Sequence, residues 1–203
     1  MKLNLKRNAK QILFLKAVLE NVADYIKDGF GAWQRGFVAT FQAGRASGKT
    51  HTLFDIVACC ARELPGAIFG ITAKNYYQVQ AVILQQMEIV LKEHNLHLYN
   101  KTTNPFGHYV IFQKPPDHWA RPHFAVNDYS RTVSFCNGFA LQLASADSAE
   151  SLRGINWDGI LCDETASYDE KFKQKLYAGV RANKGRYRDK RKGREKMKHP
   201  LHW

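Results

Sequence analysis

A loop at residues 43–50, with the sequence AGRASGKT, holds the side chains best suited to chemistry. Apart from Ala43 at the first glycine position, it follows the G-x-x-x-x-G-K-[ST] pattern of phosphate-binding loops. Small residues at its glycine positions let the backbone curl so that N–H groups point at phosphate oxygens. The predicted phosphate-contacting positions are Gly44, Arg45, Ala46, Ser47, Gly48, Lys49 and Thr50.

Three side chains of this loop have separate predicted roles. Lys49 can reach the β- and γ-phosphates as a point charge, and Thr50 can place its hydroxyl on Mg²⁺. Arg45 can pair with the γ-phosphate or with a carboxylate across the site, or can face solvent. The loop therefore predicts that the chain binds ATP with Mg²⁺.

A pair of carboxylates, Asp163 and Glu164, follows the apolar stretch Ile160-Leu161-Cys162. A strand there would deliver both to the carboxyl edge of a sheet, where a phosphate loop also lies. Asp163 is predicted to hold Mg²⁺ through water, and Glu164 to polarise the attacking water.

Alternating strand and helix patterns predict how these residues are positioned. Apolar periodicity predicts helices over residues 5–27, 49–62, 76–94 and 168–181, and strands over residues 37–42, 67–72 and 157–162. An Asn-Gly turn at residues 137–138 predicts a hairpin of residues 132–136 and 139–144. The pattern favours an α/β, P-loop NTPase fold whose mostly parallel sheet is flanked by helices and carries the hairpin as an insertion. Residues 95–127 give no clear prediction.

Composition limits the function classes. The chain has 203 residues, of which 45% are hydrophobic, and no apolar run is long enough for a membrane span, so no membrane partner is expected. The basic N-terminus leads into an amphipathic pattern that is unlike a signal peptide. The four cysteines lack metal-site spacing and are expected to be small buried residues in a reducing compartment.

The positive charge is concentrated at one end. The net charge is +12, and the residues from 181 onwards hold ten Lys and Arg against two Asp and Glu, a share of +8. We therefore divide the chain into an ATPase domain at residues 1–181 and a basic tail at residues 182–203. Such a tail either binds polyanions, nucleic acid first, or is merely solvated.

A longer pattern resembles one protein family. The segment SADSAESLRGINWDGILCDETA at residues 145–166 places an Arg-Gly about ten residues before an apolar strand that ends in Asp-Glu. Together with the preceding hairpin TVSFCNGFALQLAS and the arginine inside the phosphate loop, this is similar to the N-terminal ATPase domain of the large terminase subunit of tailed bacteriophages. The resemblance covers residues 37–166.

The resemblance implies a packaging motor: a homo-oligomeric ring at the portal of an empty capsid that drives double-stranded DNA inward with ATP. The implied partners are double-stranded DNA, the portal protein and the small terminase subunit. The implied location is the host cell cytoplasm, docked on the procapsid portal.

The resemblance also implies roles for individual residues. Lys49 and Thr50 would bind phosphate and Mg²⁺, Asp163 would bind Mg²⁺, and Glu164 would be the catalytic carboxylate. By the same resemblance Arg45 would sense the γ-phosphate within its own subunit, Arg153 would act as an arginine finger on a neighbour's ATP, and Gln11 would read the adenine.

Two family features are missing from this sequence. No strand with a Ser/Thr-rich coupling motif is predicted between Thr165 and Trp203, and no acidic nuclease domain is present. The ATPase domain is thus expected to be incomplete at its C-terminal end. Two alternatives remain: another P-loop nucleic-acid translocase or helicase, and a truncated nucleic-acid-binding relic that keeps a nucleotide site.

Overall fold

The computed structural model describes residues 7–28, 39–44, 47–73, 77, 84–145, 156–163 and 165–180. In chain order its helices and strands are α1 Ala9–Asp28, α2 Lys49–Glu63, β1 Ile68–Ala73, α3 Leu84–Glu93, β2 Tyr109–Ile111, β3 Thr132–Phe135, β4 Ala140–Ser145, β5 Gly159–Cys162 and α4 Glu170–Gly179. The predicted helices and strands recur where the structure describes them, with ends that shift by a few residues in either direction and with one exception at residues 37–42. Most of residues 76–83, the first part of the helix predicted at residues 76–94, lie outside the described residues.

Side-chain caps fix where two of the helices begin. At α1, the Asn8 side chain accepts the Gln11 N–H (3.0 Å) and the Gln11 side chain accepts the Asn8 N–H (2.9 Å). This reciprocal pair is a capping box, which satisfies two backbone donors that a helix leaves open. At α4, the Asp169 carboxylate accepts the Phe172 N–H (2.6 Å).

The five strands form one sheet in the order β2-β3-β4-β1-β5. Strand β1 lies at its parallel centre, pairing with β4 on one side and β5 on the other. Strands β2, β3 and β4 form antiparallel pairs, so the sheet is mixed and joins the parallel strands around β1 to an antiparallel edge. The hairpin predicted as an insertion thus extends the sheet, and β2 from the unassigned segment adds its outer edge.

The Asn-Gly turn of the hairpin is confirmed. Gly138 has φ +84°, and a Cβ there would lie 2.6 Å from the Arg121 carbonyl oxygen. The buried Asn137 side chain donates to the Ala61 carbonyl of α2 and accepts the Phe139 N–H. Glycine is needed for both the conformation and the space, and asparagine ties the turn to the helix.

Helices cover both faces of the sheet, as the sequence predicted. One face packs against α1, α2 and α3 in a large cluster whose centre includes Phe54, Ile71, Leu91, Phe139 and Leu141. The other face packs against α4 in a smaller cluster of Ile68, Val126, Ala140, Ala144, Trp157, Tyr168, Phe172 and Leu176. Because side chains alternate along a strand, odd-numbered residues of β1 enter the first cluster and even-numbered ones face α4.

The strand predicted at residues 37–42 is wrong where the structure describes it. Residues 39–42 form no strand, and three of the four side chains are exposed. Only Phe41 packs, with its ring stacked on Phe14 of α1 at 5.1 Å between centroids. Among the described residues this run pairs with no strand of the sheet and is held by its contact with α1.

Neither a membrane-spanning helix nor a metal-binding cluster is found in the described part of the chain. No helix there combines the length and the apolar character that crossing a bilayer requires. No group of three or more His, Cys, Asp or Glu side chains there is arranged to hold a metal ion.

Candidate nucleotide-binding site

The phosphate-loop motif leads directly into the N-terminus of α2. Gly48 immediately precedes the helix in a left-handed conformation (φ +80°) and supplies no side-chain cap, and the first turn holds no acidic residue. The first backbone N–H groups of a helix lack intrahelical partners and carry a partial positive charge. This end of α2 is therefore suited to an anion. Of the loop's two glycines only Gly48 has a positive φ, whereas a Cβ at Gly44 would meet nothing within 4 Å.

Two side chains of the loop bring further polar groups to this helix end. The Lys49 ammonium donates to the Ala43 carbonyl oxygen at 2.8 Å and so closes the loop on itself. The Ser47 hydroxyl is buried and has no hydrogen-bond partner among the described residues. A buried hydroxyl without a partner is costly, and an added acceptor would remove that cost.

Asp163 reaches the loop from the carboxyl end of β5. Its N–H donates to the Thr72 carbonyl at 2.9 Å, which continues the β1–β5 ladder by one residue. Strand alternation places its side chain on the same face as Leu161, which lies in the cluster under α2. There the Thr50 hydroxyl donates to Asp163 Oδ2 at 3.0 Å. The predicted meeting of these two residues, 113 positions apart in sequence, is thus observed.

Tyr168 contacts the end of β5 from the sheet face that packs against α4, and the sequence did not predict it. Its hydroxyl donates to the Asp163 carbonyl oxygen at 2.8 Å and lies 3.1 Å from Thr72 Oγ1. Its buried ring meets Phe172 edge to face. Tyr168 thereby fixes the backbone from which the Asp163 side chain projects.

A charged network behind the loop was also missed. Arg7 donates to both carboxylate oxygens of Asp55 in α2 (2.7 and 2.8 Å) and to Glu93 of α3 (2.7 Å). His94, which is 1% exposed, lies 2.8 Å from the same Asp55 carboxylate, and His51 lies 3.2 Å from Glu93. The network ties the start of the chain and the end of α3 to the helix that carries the loop.

The charge states in this network follow from its contacts. Burial alone would raise the pKa of Asp55, but hydrogen bonds from Arg7 and His94 outweigh burial and lower it. The hydrogen bond to Asp55 raises the pKa of Arg7 despite burial. Asp55 and Arg7 therefore form a charged pair at neutral pH.

The structure brings together several of the predicted site residues. Ser47, Gly48, Lys49, Thr50 and Asp163 lie around the N-terminus of α2, and Gln11 lies against Gly48. Gly44 is also described, and a Cβ there would contact none of these residues. The other predicted residues lie outside the described residues: Arg45, Ala46, Arg153 and Glu164. The capping pattern Asn8-x-x-Gln11 was the available sequence signal for the contact between α1 and the loop.

These residues fit a magnesium–triphosphate group. An uncapped helix end, an ammonium and a buried hydroxyl without a partner provide donors for phosphate oxygens. Thr50 and Asp163 provide adjacent hard oxygen atoms, the ligand type that Mg²⁺ prefers.

A family model described as "Terminase large subunit, T4likevirus-type, N-terminal" matches residues 40–191, three quarters of the chain. The match runs through the phosphate loop, all five strands and Asp163. The chain belongs to this family.

Membership in the large terminase family indicates a role in viral DNA packaging, with DNA and other packaging components as partners. It confirms the family predicted from the loop, the hairpin and the Arg-Gly segment. No curated protein and no solved structure shows a significant match to this terminase chain.

Proposed function

We propose that this chain is the ATP-hydrolysing part of a motor that drives double-stranded viral DNA into a preformed capsid. The observation that carries the proposal is the hydrogen bond between Thr50 and Asp163 at the uncapped end of α2. It brings a hydroxyl and a carboxylate together beside phosphate-directed donors, as magnesium-dependent phosphoryl transfer requires.

The loop residues would bind and orient the nucleotide. Lys49 would exchange the Ala43 carbonyl for phosphate oxygens, a stronger charge-assisted contact. Ser47 and the first N–H groups of α2 would complete the phosphate contacts. Thr50 and Asp163 would hold Mg²⁺, whose charge offsets the negative charge of the phosphates.

The hydrolytic roles fall on residues that lie outside the described part of the chain. Glu164 directly follows Asp163 in the chain and would accept a proton from the attacking water. By resemblance to the family, Arg45 would contact the γ-phosphate in its own subunit and Arg153 would reach a neighbour's nucleotide. The motor would work as a ring on the procapsid portal in the host cytoplasm, with the portal protein and the small terminase subunit as partners.

A non-catalytic DNA-binding module with a relic nucleotide site is the alternative. Two contacts argue against it: Lys49 bonds the Ala43 carbonyl, and Thr50 bonds Asp163. A relic site has no need to keep a lysine, a hydroxyl and a carboxylate close together.

The test is steady-state ATP hydrolysis with Mg²⁺, with and without linear double-stranded DNA, by wild type and Glu164→Gln. We expect the wild type to hydrolyse ATP at a rate that DNA changes. The variant should bind ATP yet turn over about 10²-fold to 10⁴-fold more slowly, because an amide cannot accept the proton. Asp163→Asn should instead weaken the Mg²⁺-dependent part of binding.

Three outcomes contradict the proposal in different ways. ATP binding without turnover by the wild type would point to the relic module. Equal turnover by wild type and Glu164→Gln would remove the role given to Glu164. Identical behaviour of the Asp163 and Glu164 variants would contradict the division of work between them.

A further inference from the structure

The side chain of Gln11 joins α1 to the last residue of the phosphate loop. It is 6% exposed, and its Nε2 lies 3.2 Å from the Gly48 carbonyl oxygen and 3.0 Å from Thr52 Oγ1. Its Oε1 accepts the Asn8 N–H at 2.9 Å. The amide thus contacts protein groups at both ends.

The orientation of this amide follows from its partners. The Gly48 carbonyl can only accept a hydrogen bond and the Asn8 N–H can only donate one, so Nε2 faces the loop and Oε1 faces Asn8. A side-chain amide has two N–H donors. Both are used within the protein, which leaves none for a ring nitrogen of a nucleotide base.

Gln11 also lies directly over Gly48. A Cβ at Gly48 would come within 2.5 Å of Gln11 Nε2, so the side chain fills the space that the missing Cβ leaves. The Gly48 carbonyl accepts the Thr52 N–H and the Thr52 hydroxyl as well, each at 2.9 Å. Three donors therefore fix the peptide that joins the left-handed Gly48 to the first helical residue, Lys49.

The segment that carries Gln11 is held firmly against α2. Gly48, Thr52 and Asp55 are spaced four and three residues apart and lie on one face of the helix start. Gln11 binds the first two, and Arg7 binds Asp55 through two hydrogen bonds. Two polar contacts on successive turns thus set where Gln11 lies relative to the loop.

We propose that Gln11 is a positioning residue for the phosphate loop, which holds the Gly48 peptide in place for any triphosphate, and that it does not read the base. The proposal deepens the proposed function and rests on nucleotide binding at this site. It differs from the adenine contact that the family resemblance implied for Gln11.

The test compares the affinities for MgATP, MgGTP and magnesium tripolyphosphate, which has no base, in wild type and Gln11→Met. Methionine keeps the length of the side chain and removes its hydrogen bonds. We expect all three affinities to fall by one common factor of about threefold to tenfold, the effect of losing a typical hydrogen bond. A base reader would instead lose affinity for ATP and leave tripolyphosphate unchanged.

Asn8→Ala is the matched control. It removes the cap contact from the Asn8 side chain to the Gln11 N–H and leaves Nε2 on the loop. Asn8→Ala should lower the thermal unfolding midpoint of the protein but leave its affinities for the three ligands unchanged. Equal losses in Asn8→Ala and Gln11→Met would assign the effect to the helix cap and overturn the proposal.

Thr52→Val gives a second route that does not alter Gln11. It removes the hydroxyl that bonds both Gln11 and the Gly48 carbonyl while keeping the shape of a fully buried side chain. It should lower the three affinities by a common factor. The double variant Gln11→Met/Thr52→Val should lose less affinity than the product of the two single fold-losses.

Several results would overturn the proposal. They are a loss of affinity confined to ATP, unchanged affinity for all three ligands, and independent effects of Gln11→Met and Thr52→Val on affinity. Failure of the wild type to bind any of the three ligands is a separate result, since it contradicts the nucleotide site itself.

Discussion

At the scale of single residues, the sequence predicted which side chains of short motifs come together at the candidate site. Lys49, Thr50 and Asp163 belong to patterns whose spacing follows from how a loop enters a helix and how a strand ends at a sheet edge, and the structure places Thr50 and Asp163 together. Tyr168 and Asp55 could not be predicted in the same way. Asp55 bonds Arg7 and His94, and Tyr168 bonds Thr72. These partners come from distant parts of the chain, and only the packing of α1, α3 and α4 brings them together.

Asp55→Asn tests the buried charge pair behind the loop. Breaking this buried ion pair removes one of the two carboxylates that bind Arg7 and leaves only Glu93, so we expect a cost of about 3 kcal/mol in unfolding free energy at neutral pH. The pKa of Asp55 is lowered in the folded protein, so its contribution is present above the unfolded-state pKa of about 3.9 and is lost as the pH falls through the folded value.

Urea unfolding of wild type and Asp55→Asn at pH 7, 4 and 3 measures this effect. The difference between the two proteins should shrink below about pH 4, because Asp55 of the unfolded wild-type chain takes up a proton there while the folded carboxylate is still ionised. Asp117→Asn is the control, because Asp117 is exposed and its ion pairs with Lys114 and Arg121 lie at the surface. A difference that stays constant from pH 7 to 3 would contradict the charged pair.

At the scale of helices and strands, the sequence predicted best what is decided locally. The hairpin was predictable because Asn137 and Gly138 set the turn themselves. Residues 39–42 are the described part of another predicted strand, yet they form none, because a strand also needs a pairing partner elsewhere. Sheet order depends on the same distant choices, which is why the sequence predicted the hairpin but not the pairing of β2 with it.

The basic tail is an element whose role is testable without its structure. Deleting residues 182–203 should weaken binding to double-stranded DNA and flatten the dependence of log affinity on log salt, since fewer counterions are released. Replacing the tail's Lys and Arg by Gln at unchanged length should have the same effect. A salt slope unchanged by both variants would show that the tail is merely solvated.

At the scale of the whole molecule, the candidate site is assembled from separate parts of the chain. The start of α1, the phosphate loop, the end of β5 and Tyr168, which lies two residues before α4, all contribute, and each is fixed by hydrogen bonds to another. The family's ring assembly would add a contact from a neighbouring subunit, through Arg153.

A mixing experiment tests that contact between subunits. Arg153→Ala should fold normally and bind ATP, but should lose about 10³-fold to 10⁵-fold in hydrolysis within an assembly, the range seen for arginine fingers. Mixing it with Glu164→Gln should restore part of the activity, because some interfaces then pair an intact Glu164 with an intact Arg153. Early melting with no gain on mixing would instead identify Arg153 as a salt-bridge residue within its own chain.

The central claim is that the phosphate loop and Asp163 form a magnesium-dependent nucleotide site. Calorimetric titration of MgATP into wild type, Lys49→Ala and Lys92→Ala tests it most directly, since Lys92 is an exposed lysine at the end of α3. Wild type and Lys92→Ala should bind with equal affinity. Lys49→Ala should lose about 2–3 kcal/mol or more, which would abolish binding at micromolar ATP. Binding by Lys49→Ala that matches the wild type would contradict the account.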